Sequence, residues 1–173
     1  LIDRLNGQLL NWVEADVELR FVTSLTTDGN RIWVSHERGI SLFESGRWRA
    51  VTIPALPPDA KVLAVYYSPK SGFWVGTSSG LAHEADSSWM VYTQADGLSS
   101  QAVSILYEDS MGRLWAGDGF SSKGGLNVLQ AGYWTSYSTE NGLAHNTVNA
   151  LLEIPDGSLW VGTGFASRGG ASH

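Results

Sequence analysis

The sequence predicts an all-β fold, a β-propeller of four-stranded antiparallel blades, on three observations. A tryptophan-centred motif recurs along the chain at blade-length intervals. Short apolar runs are punctuated by Gly, Asp, Asn and Ser, the residues of tight hairpins. No segment sustains a 3.6-residue apolar period, so almost no helix is expected.

The repeat carries most of this inference. Four of the eight tryptophans sit in similar contexts: RIWVSH (Trp33), GFWVGT (Trp74), RLWAGD (Trp115) and SLWVGT (Trp160), spaced by 41, 41 and 45 residues. Trp48, Trp89 and Trp134 follow the first three by 15, 15 and 19 residues. The extra four residues fall in one insert, GFSSKGG, which recurs after Trp160 as GFASRGG.

Each unit reads as four short strands. In the third, AVSILYE (102–108) is the innermost strand, DSMG (109–112) turns, and RLWAG (113–117) is the second strand. After a loop come GLNVLQ (125–130), the tight turn AGY and WTSYST (134–139). The inner strands are apolar on both faces, at Val103, Ile105, Leu106, Leu114 and Trp115, which suits a sheet packed between two neighbours. Radially stacked blades supply that environment. Recurrence in every unit assigns Trp33, Trp74, Trp115, Trp160, Trp48, Trp89 and Trp134 to packing between blades.

The phase of the ends follows from one spacing. Leu126 precedes Trp134 by eight residues, as Leu81 precedes Trp89, Ile40 precedes Trp48 and Leu1 precedes Leu9. Trp12 then falls in the column of Val51, Tyr92 and Tyr137. Four units result, 1–39, 40–80, 81–125 and 126–170, with 171–173 overrunning the repeat as the start of an appended tail. The chain begins with two outer strands and ends with two inner ones, and half-blades need partners because open sheet edges aggregate. Two chains could exchange halves in an eight-bladed homodimer, one chain could close on four blades, or the chain could be part of a longer array. Blade size and the prevalence of two-fold symmetry favour the homodimer.

Composition excludes several classes. The 173 residues are 43% apolar and 16% charged, ample for one core. No run of 18 apolar residues exists for a membrane helix, and LIDRLNGQLLNW is no secretion signal. A net charge of −6 argues against nucleic acid. The absence of cysteine removes disulfides and thiolate chemistry.

DGLSSQAVSILYEDSMGRLWAGD and NGLAHNTVNALLEIPDGSLWVGT resemble the two-component regulator propeller repeat, whose pattern runs N-G-L, V-x-x-I, E-D-x-x-G-x-L-W-V-G-T and then G-L. The resemblance is weaker at the start, where ALPPDA (55–60) and EADVEL (14–19) replace N-G-L. It implies a non-enzymatic sensing module, periplasmic or extracellular, of a kind that often responds to glycan fragments. TTDGNRIW (26–33) is also close to the Asp box of sialidase-type propellers, read as a shared turn in which Asp binds backbone amides.

The GF(S/A)S(K/R)GG inserts join second to third strands, at the end of the ring that also carries DGLSSQ and NGLAHN. Loops on a rigid scaffold carry function. Phe120 and Phe165 could flank an oligosaccharide or small polar ligand, Lys123 and Arg168 could bind its carboxylate or hydroxyls, and His145 could face the channel. The same inserts also read as glycine-rich hairpins with solvated basic tips. His36, His83 and His145 occupy unrelated places, so no metal or cofactor is expected. No G-x-S-x-G elbow exists, and Glu108–Asp109 reads as a turn cap. Two other functions remain open: a structural or engineered fragment that assembles without ligand, and an enzyme like the streptogramin lyases. The latter needs a His base, a glutamate and Mg²⁺ converging on the axis, which no unit supplies.

Overall fold

The computed structural model describes residues 19–86, 88–120, 123–165 and 167–173. Fifteen strands form four antiparallel sheets among these residues. The first holds β1 (Ser24–Thr27), β2 (Ile32–His36), β3 (Gly39–Glu44) and β4 (Arg47–Val51). The second holds β5 (Val62–Ser68), β6 (Gly72–Thr77), β7 (Gly80–Ala85) and β8 (Ser88–Tyr92). The third holds β9 (Ile105–Glu108), β10 (Leu114–Gly117), β11 (Leu126–Gln130) and β12 (Tyr133–Tyr137). The fourth holds β13 (Val148–Glu153), β14 (Leu159–Phe165) and β15 (Arg168–Ser172). Strands follow chain order within each sheet, which is the meander of a propeller blade. Among the described residues helix is confined to short 3-10 turns at Gln94–Asp96 and Thr139–Asn141.

Local chemistry explains the hairpins. Ala131 and Gly132 both take positive φ (51° and 83°), as do Ser45 and Gly46 (51° and 79°). Two consecutive left-handed residues make the turn whose twist matches the flanking strands. The Asp-box likeness resolves the same way: Asp28 Oδ1 accepts the backbone N–H of Asn30 (3.0 Å) and Arg31 (2.8 Å).

Three apolar clusters lie between successive sheets. Trp33 stacks on Tyr67 of the second sheet at 5.4 Å between ring centroids. Trp74 packs with Leu98, Val103 and Leu114, and Trp115 packs with Leu143, Val148 and Val161. The outer tryptophans Trp48, Trp89 and Trp134 are half-buried. Trp160 differs: no described sheet follows it, and it is 40% exposed, under the imidazole of His173.

The end of the chain adds a third strand to the fourth sheet, with Ala171 opposite Gly162 as Leu126 is opposite Gly117. β15 occupies the third position of the fourth sheet, where two inner strands alone were expected. Gly162 pairs with Ala171 and Val161 with Ser172. Ser172 Oγ also accepts the Ala144 N–H at 3.0 Å. These residues thus satisfy the backbone groups of β14, which would otherwise be a bare edge. Leu1, Leu9 and Trp12 lie outside the described residues.

Candidate ligand-binding site at the loop-rich end of the axis

The innermost strands β1, β5, β9 and β13 lie side by side, each beginning at the same end of the molecule. Backbone bonds tie that end together from blade to blade. Val103 N–H donates to Thr77 O (2.9 Å) and Val148 N–H to Asp118 O (2.8 Å), while within the third blade Gly119 N–H donates to Ser104 Oγ (2.6 Å). The loops that follow β8, β10 and β12 therefore meet the starts of the inner strands.

A cavity of about 510 Å³ opens there. Thr23, Ser24 and Leu25 line it from the first blade, Leu63 to Tyr66 from the second, Ser104 to Leu106 from the third, and Val148 with Asn149 from the fourth. Gly119 and Phe120 complete the wall. Hydroxyls and a carboxamide interleave with apolar groups, and none of these lining side chains is charged. Burial, with the nearby Glu108 carboxylate, pushes the Tyr66 phenol above its ordinary pKa, so it remains a neutral hydroxyl.

The structure separates the residues singled out from sequence. Phe120 lines the cavity. Lys123 is exposed on the same loop, outside the wall. Phe165 and Arg168 face each other across the tip of the β14–β15 hairpin, both exposed. His145 accepts the Thr147 N–H on Nδ1 at 3.0 Å, away from the cavity. The two GF inserts, alike in sequence, fold differently. Asp118 is fully buried and organises the first insert: its carboxylate accepts Ser100 Oγ–H (2.7 Å) and Phe120 N–H (2.8 Å), with Gly124 packed against it. The second insert has Thr163 at that position, whose hydroxyl donates to Gly170 O (3.2 Å), and the chain zips into a hairpin. Asp118 is the site residue that sequence reasoning passed over. Its signal was WAGD where the second and fourth units read WVGT.

The histidines have structural surroundings. His36 Nε2 bonds Ser41 Oγ (2.9 Å), and His83 stacks on Trp74. No cluster of three metal-ligating side chains occurs among the described residues. Asp109 caps its turn, accepting Arg113 N–H (2.9 Å) and the Trp115 indole N–H (2.8 Å). Glu108 instead accepts Ser71 Oγ–H (2.8 Å) from the preceding blade.

Residues 142–165, which run from the loop before β13 through β14, match the family described as two component regulator propeller. The match covers that one repeat-length segment of the chain. No curated protein matches it. Among solved structures it is similar to the extracellular domain of BT4673 of B. thetaiotaomicron, assigned to a one component system, at TM-score 0.64 and 15% identity over 82% of this chain. It is likewise similar to PorZ, a surface component of the type-IX secretion system of Porphyromonas gingivalis, at TM-score 0.67 and 16% identity over 95% of this chain. The chain spans 21% and 26% of the lengths of those two. The computationally designed Ika4 protein is similar end to end, at TM-score 0.59 and 15% identity over 95% of this chain and 97% of its own. At these identities the shared property is the propeller fold.

Proposed function

We propose that the chain is a non-enzymatic ligand-sensing module of an extracellular or periplasmic protein, taking a neutral, hydroxyl-rich ligand such as an oligosaccharide fragment at the axial cavity. The observation that carries this reading is the uncharged wall itself. Phe120 and Tyr66 offer aromatic surface, while Ser24, Ser104 and Asn149 offer short polar groups on rigid strands. Such interleaving suits a sugar, whose apolar ring faces pack on aromatics while its hydroxyls bond neutral donors and acceptors. An anionic ligand would forgo charge pairing in this wall. The extracellular domains among the similar structures support a location outside the cytoplasm.

The test is a thermal shift against neutral and acidic oligosaccharides. A ligand at a hundredfold excess over its Kd stabilises by about 2.7 kcal/mol, a rise of roughly 5–10 °C for a domain this size. The reading expects that rise for a neutral fragment and its loss in Phe120→Ala. Silence across the library, or a shift that Phe120→Ala leaves intact, overturns it. The end-to-end likeness to Ika4 favours a second reading, a self-assembling scaffold without ligand, which predicts that silence.

A further inference from the structure

We propose that a second copy of the chain docks its first blade onto the open face of the fourth, closing a two-fold ring of eight blades. The argument rests on one contact that recurs between blades. Each second strand carries a small residue two positions after its inner tryptophan, and against Gly76 and Gly117 the following blade sets a valine. A Cβ added to Gly76 would collide with the Val103 carbonyl oxygen, and one added to Gly117 would lie 2.9 Å from Val148 Cβ. Val103 and Val148 are accordingly buried, at 1% and 0% exposure.

Both halves of that contact are left open among the described residues, one on the fourth blade and one on the first. Gly162 is the counterpart of Gly76 and Gly117, yet the three atoms nearest an added Cβ all belong to Ala150 of its own sheet. Beside it Trp160 is 40% and Leu152 61% exposed. At the other end, Thr23 N–H donates to Ser35 O as Ser104 N–H does to Gly117 O, which makes Val22 the counterpart of Val103. Val22 is 47% exposed, and Leu25, three residues on as Leu106 is from Val103, is 67% exposed. The first and fourth blades thus present two complementary apolar faces that do not meet each other.

Unequal complementary faces join head to tail, into a closed ring or an open filament. Propellers close at four to eight blades. Closure within one chain would bury Val22 and Trp160, which stay exposed, whereas a second copy carries both faces, so two copies cover all of them in a ring of eight blades. The partner's four inner strands would then complete the wall of the axial cavity.

The experiment is the solution mass of the full chain, by light scattering behind a sizing column over a dilution series. The expected mass is twice 18.7 kDa, about 37 kDa. Val22→Glu and Leu152→Glu, both at exposed positions, are each expected to run as folded monomers with an unchanged circular dichroism spectrum. A wild-type monomer overturns the proposal in favour of coverage by the chain's own residues 1–18 or by another partner. Mass that grows beyond two copies overturns the closed ring, and variants that stay dimeric overturn the faces assigned.

Discussion

Asp109 holds the indole N–H of Trp115 at 2.8 Å from a position that is itself 3% exposed. The same carboxylate pairs with Arg113, whose guanidinium lies 5.3 Å above the Trp115 ring. The first blade repeats the arrangement with Asp28, Arg31 and Trp33, the guanidinium at 4.7 Å. A turn carboxylate therefore sets both the hairpin and the ring that packs on the next blade.

Burial alone would raise the pKa of Asp109, but the bonds from Trp115 and Arg113 outweigh it and hold the carboxyl below 3.8. A depressed native pKa contributes stability above the unfolded value and loses it as pH falls through the native one. Asp109→Asn is expected to cost about 1–3 kcal/mol at neutral pH, since donors lose a charged acceptor. The gap in melting temperature between the variant and the wild type should narrow as pH drops below about 4. A gap independent of pH counts against the ionised cap.

Trp115→Ala removes the largest side chain between the third and fourth blades. Core truncations of this size cost about 3–5 kcal/mol, to be read from urea unfolding. Because Trp115 packs with Leu143, Val148 and Val161, the loss should appear first in hydrogen exchange of β13 and β14.

Gly76→Ala and Gly162→Ala separate a filled contact from an open one. The first drives a methyl into the Val103 backbone, which cannot rotate aside, and is expected to lower stability by about 1–3 kcal/mol or more. The second meets Ala150 at 3.2 Å and asks for a shift of a few tenths of an ångström. Its melting temperature in the monomeric Leu152→Glu background should change little, whereas in the wild-type background it should lower the dimer mass. Equal effects of the two substitutions on melting would contradict the assignment of the faces.

The architecture was legible in the sequence because a propeller blade is a local object. Period, turn dipeptides and apolar runs located the hairpins of the third blade to within a few residues. The 41- and 45-residue spacings stacked them. The strand AVSILYE illustrates the limit: pairing starts at Ile105, since Val103 gives its N–H to Thr77 of the previous blade. The candidate site was legible only as a set of loops on one end. Phe120 entered the cavity wall, while Phe165 and Arg168 went to a hairpin tip. Asp118 stands where the second insert has Thr163, and its bonds to Ser100 and Phe120 are ones that no short-range pattern reports.

The sequence by itself determined the fold class, the order of strands and the tryptophan columns, because these follow from side-chain period and turn chemistry within some forty residues. The tertiary structure alone decided which members of a column are covered. Trp115 and Trp160 share a motif and a strand position, yet one is buried and the other is open, because burial belongs to the neighbour that arrives and not to the residue that waits for it.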